Sequence, residues 1–117
     1  MEYNKLISTL LEKFPNLKEE YEENDHLWNL PHCVFEIIVL PYIMLLYQKN
    51  DNKHLDEMGQ YLEQMCLSKD VKVVEVLNVS LLEPIALKGK EIMQEIKPFL
   101  GNETLENLEF WERKYRF

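Results

Sequence analysis

The run from Leu30 to Tyr47 (LPHCVFEIIVLPYIMLLY) constrains this chain more than any other stretch, because it is apolar around nearly its whole circumference. Such a segment must be enclosed, by lipid or by other parts of a protein. A bilayer span takes about 20 predominantly apolar residues. Here Glu36 and Pro41 interrupt a shorter run, so it reads as the central helix of a protein core and not as a membrane span. Pro31 suits the first turn of that helix, where its missing N–H is not needed, and the helix should continue to about Lys49. Pro41 cannot donate to the carbonyl of Ile37 and its ring crowds that turn, which predicts a kink or break near residues 37–41.

The rest of the chain has helical periodicity. Tyr3, Leu6, Ile7, Leu10, Leu11 and Phe14 recur at helical spacing, and Pro15 ends that helix near Lys13. Asn16 followed by Glu19 has the form of a capping box and places a short second helix over residues 17–23. Asn50, Asp51 and Asn52 form a turn-and-cap cluster, after which Leu55, Met58, Gly59, Leu62, Met65 and Cys66 share one helix face. The five valines between Val71 and Val79 favour a strand by propensity. Helix is still the better reading, since Asp70 is a good N-cap, Val73, Val74, Leu77 and Leu81 keep helical spacing, and a lone strand would lack a partner.

Pro84 should end or kink that helix. Ile92, Met93, Ile96, Phe99 and Leu100 outline another helix finished by Gly101, and Asn102 reads as the cap of the last one. Glu103 and Glu106 then lie at its positive end and Arg113, Lys114 and Arg116 at its negative end, with Leu105, Leu108, Trp111 and Tyr115 facing inward. The expectation is an all-α fold in one domain over residues 1–117, a compact bundle of six or seven helices with short connections. The helix pairs after residue 30 also suit stacking of the kind seen in a short helical-repeat array. Leu6, Leu10, Phe35, Ile38, Leu45, Leu62, Leu77, Leu81, Ile96 and Leu108 are the expected core.

A domain of 117 residues can bury enough surface to need no covalent staple. Cys33 and Cys66 lie among apolar residues and read as reduced thiols, and no basic stretch leads into an apolar one at the N-terminus, so the expected compartment is the cytoplasm. The net charge of −8 disfavours direct binding to nucleic acid, which rests on neutralising phosphates. The charge is uneven: residues 1–57 hold eleven acids against five lysines, so the N-terminal half carries the negative field.

Three sequence blocks, Phe14-Pro15-Asn16-Leu17-Lys18-Glu19, Leu30-Pro31-His32-Cys33-Val34-Phe35-Glu36 and Asn78-Val79-Ser80-Leu81-Leu82-Glu83, together resemble a family of small bacterial all-helical proteins of unknown function. Some compact helical proteins of this kind resemble immunity proteins that neutralise antibacterial toxins. The resemblance implies a helical fold and a bacterial origin, and it carries over no catalytic residue.

Chemistry-bearing patterns are sparse. His26, His32 and His54 are scattered and the cysteines lie far apart, so no metal-ligand spacing appears. Three isolated glycines make no phosphate loop, and there is no nucleophile elbow. No catalytic, cofactor-binding or metal-binding residue is therefore assigned. Glu36 is the one charge between Val34 and Leu46: buried, it would need a partner or a raised pKa, and otherwise it must lie on a narrow exposed stripe.

Two functional readings result. In the first, the chain is a non-enzymatic, immunity-like or antitoxin-like module that binds a basic protein partner. Its surface would be Glu19, Glu20, Glu22, Glu23 and Asp25, which steer opposite charge, with Trp28 as anchor. The bland counterpart is a solvated helix face with its aromatic residues in the core. In the second reading, His32, Glu36 and Glu83 line a small-molecule or regulatory pocket between helices.

Overall fold

The computed structural model describes residues 1–115, and the place expected for Arg116 at the end of the last helix lies outside them. A 3-10 turn at Tyr3–Lys5 leads into α1 (Leu6–Lys13), and another at Pro15–Leu17 leads into α2 (Lys18–Glu23). After a third turn at Asp25–Leu27, α3 (Pro31–Val34) passes through a π turn, Phe35–Val39, into α4 (Leu40–Gln48). α5 (Asn52–Cys66) follows, then α6 (Val71–Leu77), which passes through a second π turn, Asn78–Leu82, into α7 (Glu83–Ala86). α8 (Lys90–Ile96) and α9 (Asn102–Lys114) complete the chain, so seven helical bodies and no strand occur among the described residues. The radius of gyration, 13.4 Å, is that of a compact chain of this length.

The two π turns explain what happens at the prolines. Each ends two residues before one, Val39 before Pro41 and Leu82 before Pro84. In each, the N–H of the residue before proline reaches a carbonyl five residues back, Leu40 to Phe35 and Glu83 to Asn78. A wider turn at that point relieves the crowding between the pyrrolidine ring and the preceding turn, so neither helix breaks. The break allowed for at residues 37–41 does not occur, and the second helix continues past Pro84 to Ala86.

These two helices pack against each other at their π turns, with α1 and α5 alongside the first and α5 and α9 alongside the second. Val34, Phe35, Ile38, Val39, Val73, Val76, Leu77, Leu81 and Leu82 are buried between them and their neighbours. Nine of the ten expected core residues are buried, but Leu45 is 43% exposed. It shares an outward stripe with Glu36, Ile37 and Pro41, so the central helix is not enclosed on every side. A segment apolar all round contains no periodicity to say which face turns inward. Pro31–Gln48 is the one helix among the described residues long and apolar enough, by length and composition, to cross a membrane.

Capping follows the sequence in some places and departs from it in others. Asp51 caps α5 by accepting the His54 N–H at 3.2 Å, and this bond is the leading cause holding its carboxyl below the ordinary value. Asp70 caps α6 through the Lys72 N–H at 3.0 Å and also accepts the Tyr3 N–H at 2.8 Å, which ties the start of the chain to α6. Asn16 does not cap α2: Pro15 starts a turn that runs straight into that helix and leaves Asn16 within it, with no side-chain cap bond at Leu17.

Asn102 is likewise not a cap. The N-cap position of α9 is Gly101, and the acceptor is Glu63 of α5, which takes the Thr104 N–H at 2.9 Å, the Thr104 hydroxyl at 2.8 Å and the Glu103 N–H at 3.2 Å. Gly101 is not a left-handed helix stop; its φ is −72°, and a Cβ there would lie 2.4 Å from the Glu63 carboxyl carbon. Gly59 serves the same junction, since a Cβ on it would fall 1.8 Å from the Phe99 carbonyl oxygen. That oxygen belongs to backbone and cannot swing away. Gly59→Ala should therefore destabilise the fold by about 1–3 kcal/mol despite alanine's better helix propensity, measurable by urea unfolding.

Burial works to raise the pKa of Glu63, but the bonds from Thr104 and Glu103 outweigh it and hold the carboxyl below its ordinary value of 4.5. A depressed folded-state pKa adds stability that is present above the ordinary value and lost as pH falls through the folded one. Glu63→Ala should cost about 1–2 kcal/mol near neutral pH, as loss of a helix cap does. The gap between wild type and Glu63→Gln should narrow as pH drops below 4.5, which unfolding curves across that range will show.

Candidate functional site

The three residues considered for an interhelical pocket make separate contacts. Glu36 is exposed on the outer stripe of the central helix, which is the bland reading of that carboxylate. Glu83 accepts a hydrogen bond from the hydroxyl of Tyr115, just past α9, and this bond is the leading cause raising the Tyr115 pKa. His32 shares a 2.9 Å hydrogen bond between Nδ1 and the Ser80 hydroxyl, and its Nε2 lies 3.6 Å from Glu75 Oε1. Among the described residues no hydrogen bond or ion pair joins any two of His32, Glu36 and Glu83.

Glu75, His32 and Ser80 do stand in the order carboxylate, imidazole, hydroxyl. The accessibility is the reverse of what nucleophilic attack needs: Ser80 is 3% exposed, while the Glu75 side chain is 65% exposed. Asn78 completes the picture. Its Oδ1 accepts the Trp111 indole N–H at 3.0 Å, and its Nδ2 donates to the Val74 carbonyl at 3.0 Å. Asn78, Ser80 and Glu83 therefore fasten α9 and α3 to the second π-containing helix. Their partners lie 32 to 48 residues away in the chain, beyond the reach of any local sequence pattern.

The acidic segment presents a different geometry. Glu19, Glu20, Glu22 and Glu23 of α2 and Asp25 of the following turn are all exposed. None of the ion pairs among the described residues includes any of them. Trp28 is 48% exposed, so its ring is not in the core, and Leu30 beside it is 46% exposed. The ring is nonetheless held in place. Trp28 Nε1 donates to the Tyr21 carbonyl at 2.9 Å, and the Tyr21 hydroxyl accepts the Asn29 N–H at 3.2 Å. Asn29 has a left-handed φ of 62°, a conformation that asparagine tolerates, and Leu27 on the other side of Trp28 is buried. Buried Leu17 and Leu27 thus anchor both ends of a segment whose charges and indole stay outside.

A groove of about 470 Å³ adjoins this segment, walled by Tyr3, Ile7 and Leu11 on one side and by Tyr21, Asn29 and Pro31 on the other. Sequence periodicity assigned Ile7 and Leu11 to the apolar face of α1 but left no sign that the chain would leave them half-buried beside an opening. No group of three or more His, Cys, Asp or Glu among the described residues is arranged to hold a metal ion. Cys33 and Cys66 are both free, and burial, followed by the nearby Glu63 and Glu103 carboxylates, raises the Cys66 thiol pKa.

A family description matches residues 7–116, nearly the whole chain. The chain belongs to the DUF7674 family, a domain of unknown function. No curated protein and no solved structure matches it. Membership in DUF7674 agrees with the expectation of a family of unknown function and assigns no chemistry to the surface just described.

Because Trp28 makes one hydrogen bond to backbone and has half its surface in water, Trp28→Ala should cost the isolated protein only about 1 kcal/mol or less. Thermal unfolding followed by circular dichroism checks this; a loss typical of a core aromatic, about 3–5 kcal/mol, would mean that the ring is part of the core.

Proposed function

We propose that this DUF7674 domain is a non-enzymatic interaction module that binds and occludes a basic protein partner, in the manner of an immunity protein or antitoxin of the bacterial cytoplasm. The observation that carries the reading is the pairing of a half-exposed, hydrogen-bonded Trp28 with five exposed carboxylates outside any described ion pair. Unpaired surface charge of one sign raises the encounter rate with an oppositely charged partner. A tryptophan already held in one orientation loses little side-chain freedom on binding, which suits it to anchor the complex. The compact helical build supports a rigid surface of this kind.

The test begins with affinity capture from the native cell, comparing wild type with a variant carrying Glu19→Lys, Glu20→Lys and Glu22→Lys. The three reversals should change stability by about 0.5 kcal/mol or less, because all three positions are exposed. Association with the captured basic partner, followed by stopped flow, should slow about tenfold or more at low salt, and the wild-type advantage should shrink as ionic strength rises. Trp28→Ala should act instead on dissociation. An unchanged association rate in the reversed variant would overturn the proposal and leave the segment a solvated face.

A further inference from the structure

We infer that the groove between α1 and the Tyr21–Asn29 clamp seats one apolar side chain from a basic segment of the partner. This deepens the proposed reading of the acidic face and rests on it. The groove encloses about 470 Å³, within the range of clefts that hold ligand groups. Its walls are apolar side chains that the fold leaves half-buried: Ile7 and Leu11, one turn apart on α1, and the rings of Tyr3 and Tyr21. Each of them still has apolar surface to lose to an occupant, and removing that surface from water favours binding.

Charge complementarity selects the occupant. Tyr21 lines the groove and lies between Glu20 and Glu22 in the chain, while Asn29 lines it and follows Trp28. The groove therefore lies beside the acidic segment, whose carboxylates lack a described ion-pair partner, so an acidic flank would be repelled and a lysine- or arginine-bearing flank attracted. The far wall is also fixed in advance. The Tyr21 hydroxyl is held by the Asn29 N–H, and the Tyr21 carbonyl by the Trp28 indole. Little ordering of the protein is then needed when the side chain enters. The partner feature that fits is an aliphatic or aromatic anchor flanked by basic residues.

Two synthetic peptides of equal positive charge provide the test, one with leucine among lysines at helical spacing and one with serine in place of each leucine. Titrated into the isotopically labelled protein, both should shift the backbone amides of residues 19–25. Only the leucine peptide should shift those of Ile7, Ser8 and Leu11, and it should bind about tenfold tighter or more. Ser8→Trp, at an exposed position lining the groove, should abolish that preference while leaving serine-peptide binding and the circular dichroism spectrum unchanged. Asn4→Trp, at a second exposed lining position, replaces it if the first variant unfolds. Equal affinity for the two peptides, or a leucine preference that survives a filled groove, overturns the groove inference and leaves the acidic reading standing. Undiminished binding of both peptides to the variant with Glu19, Glu20 and Glu22 reversed to lysine overturns the acidic reading, and with it the basic character assigned to the occupant.

Discussion

Proline inside a packed helix sets the constraint on which this structure turns. Pro41 and Pro84 each lack a donor and crowd the preceding turn, and each lies within a helix whose neighbouring turns are buried. A break at either place would part the buried residues on its two sides. The chain instead widens one turn ahead of each proline, and the two widened turns, Phe35–Val39 and Asn78–Leu82, lie against each other. That contact joins the two most apolar helices and fixes which of their residues face inward. Leu81 and Ile38 are enclosed as a result, while Ile37 and Leu45 are not.

The second widened turn and the residue after it also carry polar groups that hold the bundle together. Asn78, Ser80 and Glu83 reach Trp111, His32 and Tyr115 respectively. Buried polar atoms are costly unless paired, and each of these side chains is paired with another helix. Glu63 has the same role elsewhere, satisfying the first amides of α9 from α5. Asn78, Ser80 and Glu83 are thus engaged in fastening the bundle, whereas the carboxylates of the acidic segment are exposed and in no described ion pair.

That division accounts for where the reading of the sequence succeeded. Residues 71–77 form a helix although valine favours strands, because the spacing of Val73, Val76 and Leu77 buries one face and Asp70 satisfies the first turn. The Asn50–Asp51 stop and start was also legible: Asn50 takes a left-handed φ of 55° after α4, and Asp51 caps α5 three residues before His54. Signals of this kind act over three or four residues. The Asn16 cap failed because the turn that the neighbouring Pro15 begins runs straight into α2, and the Asn102 cap because a carboxylate some forty residues away replaces it.

Periodicity and charge are properties of short segments, so the helical class, most helix positions, nine of the ten expected core residues and the place of the negative charge were legible before folding. Only the tertiary structure decided which face of the all-apolar helix meets solvent, because a stripe with no polar side has no preferred orientation until a neighbour packs on it. It likewise decided that Glu36 faces outward, that Glu83 and His32 serve separate tethers, and that Trp28 stays half in water under the hold of Tyr21. Each of those outcomes depends on contacts between residues distant along the chain or on the path of a turn, and neither is written in the spacing of apolar residues.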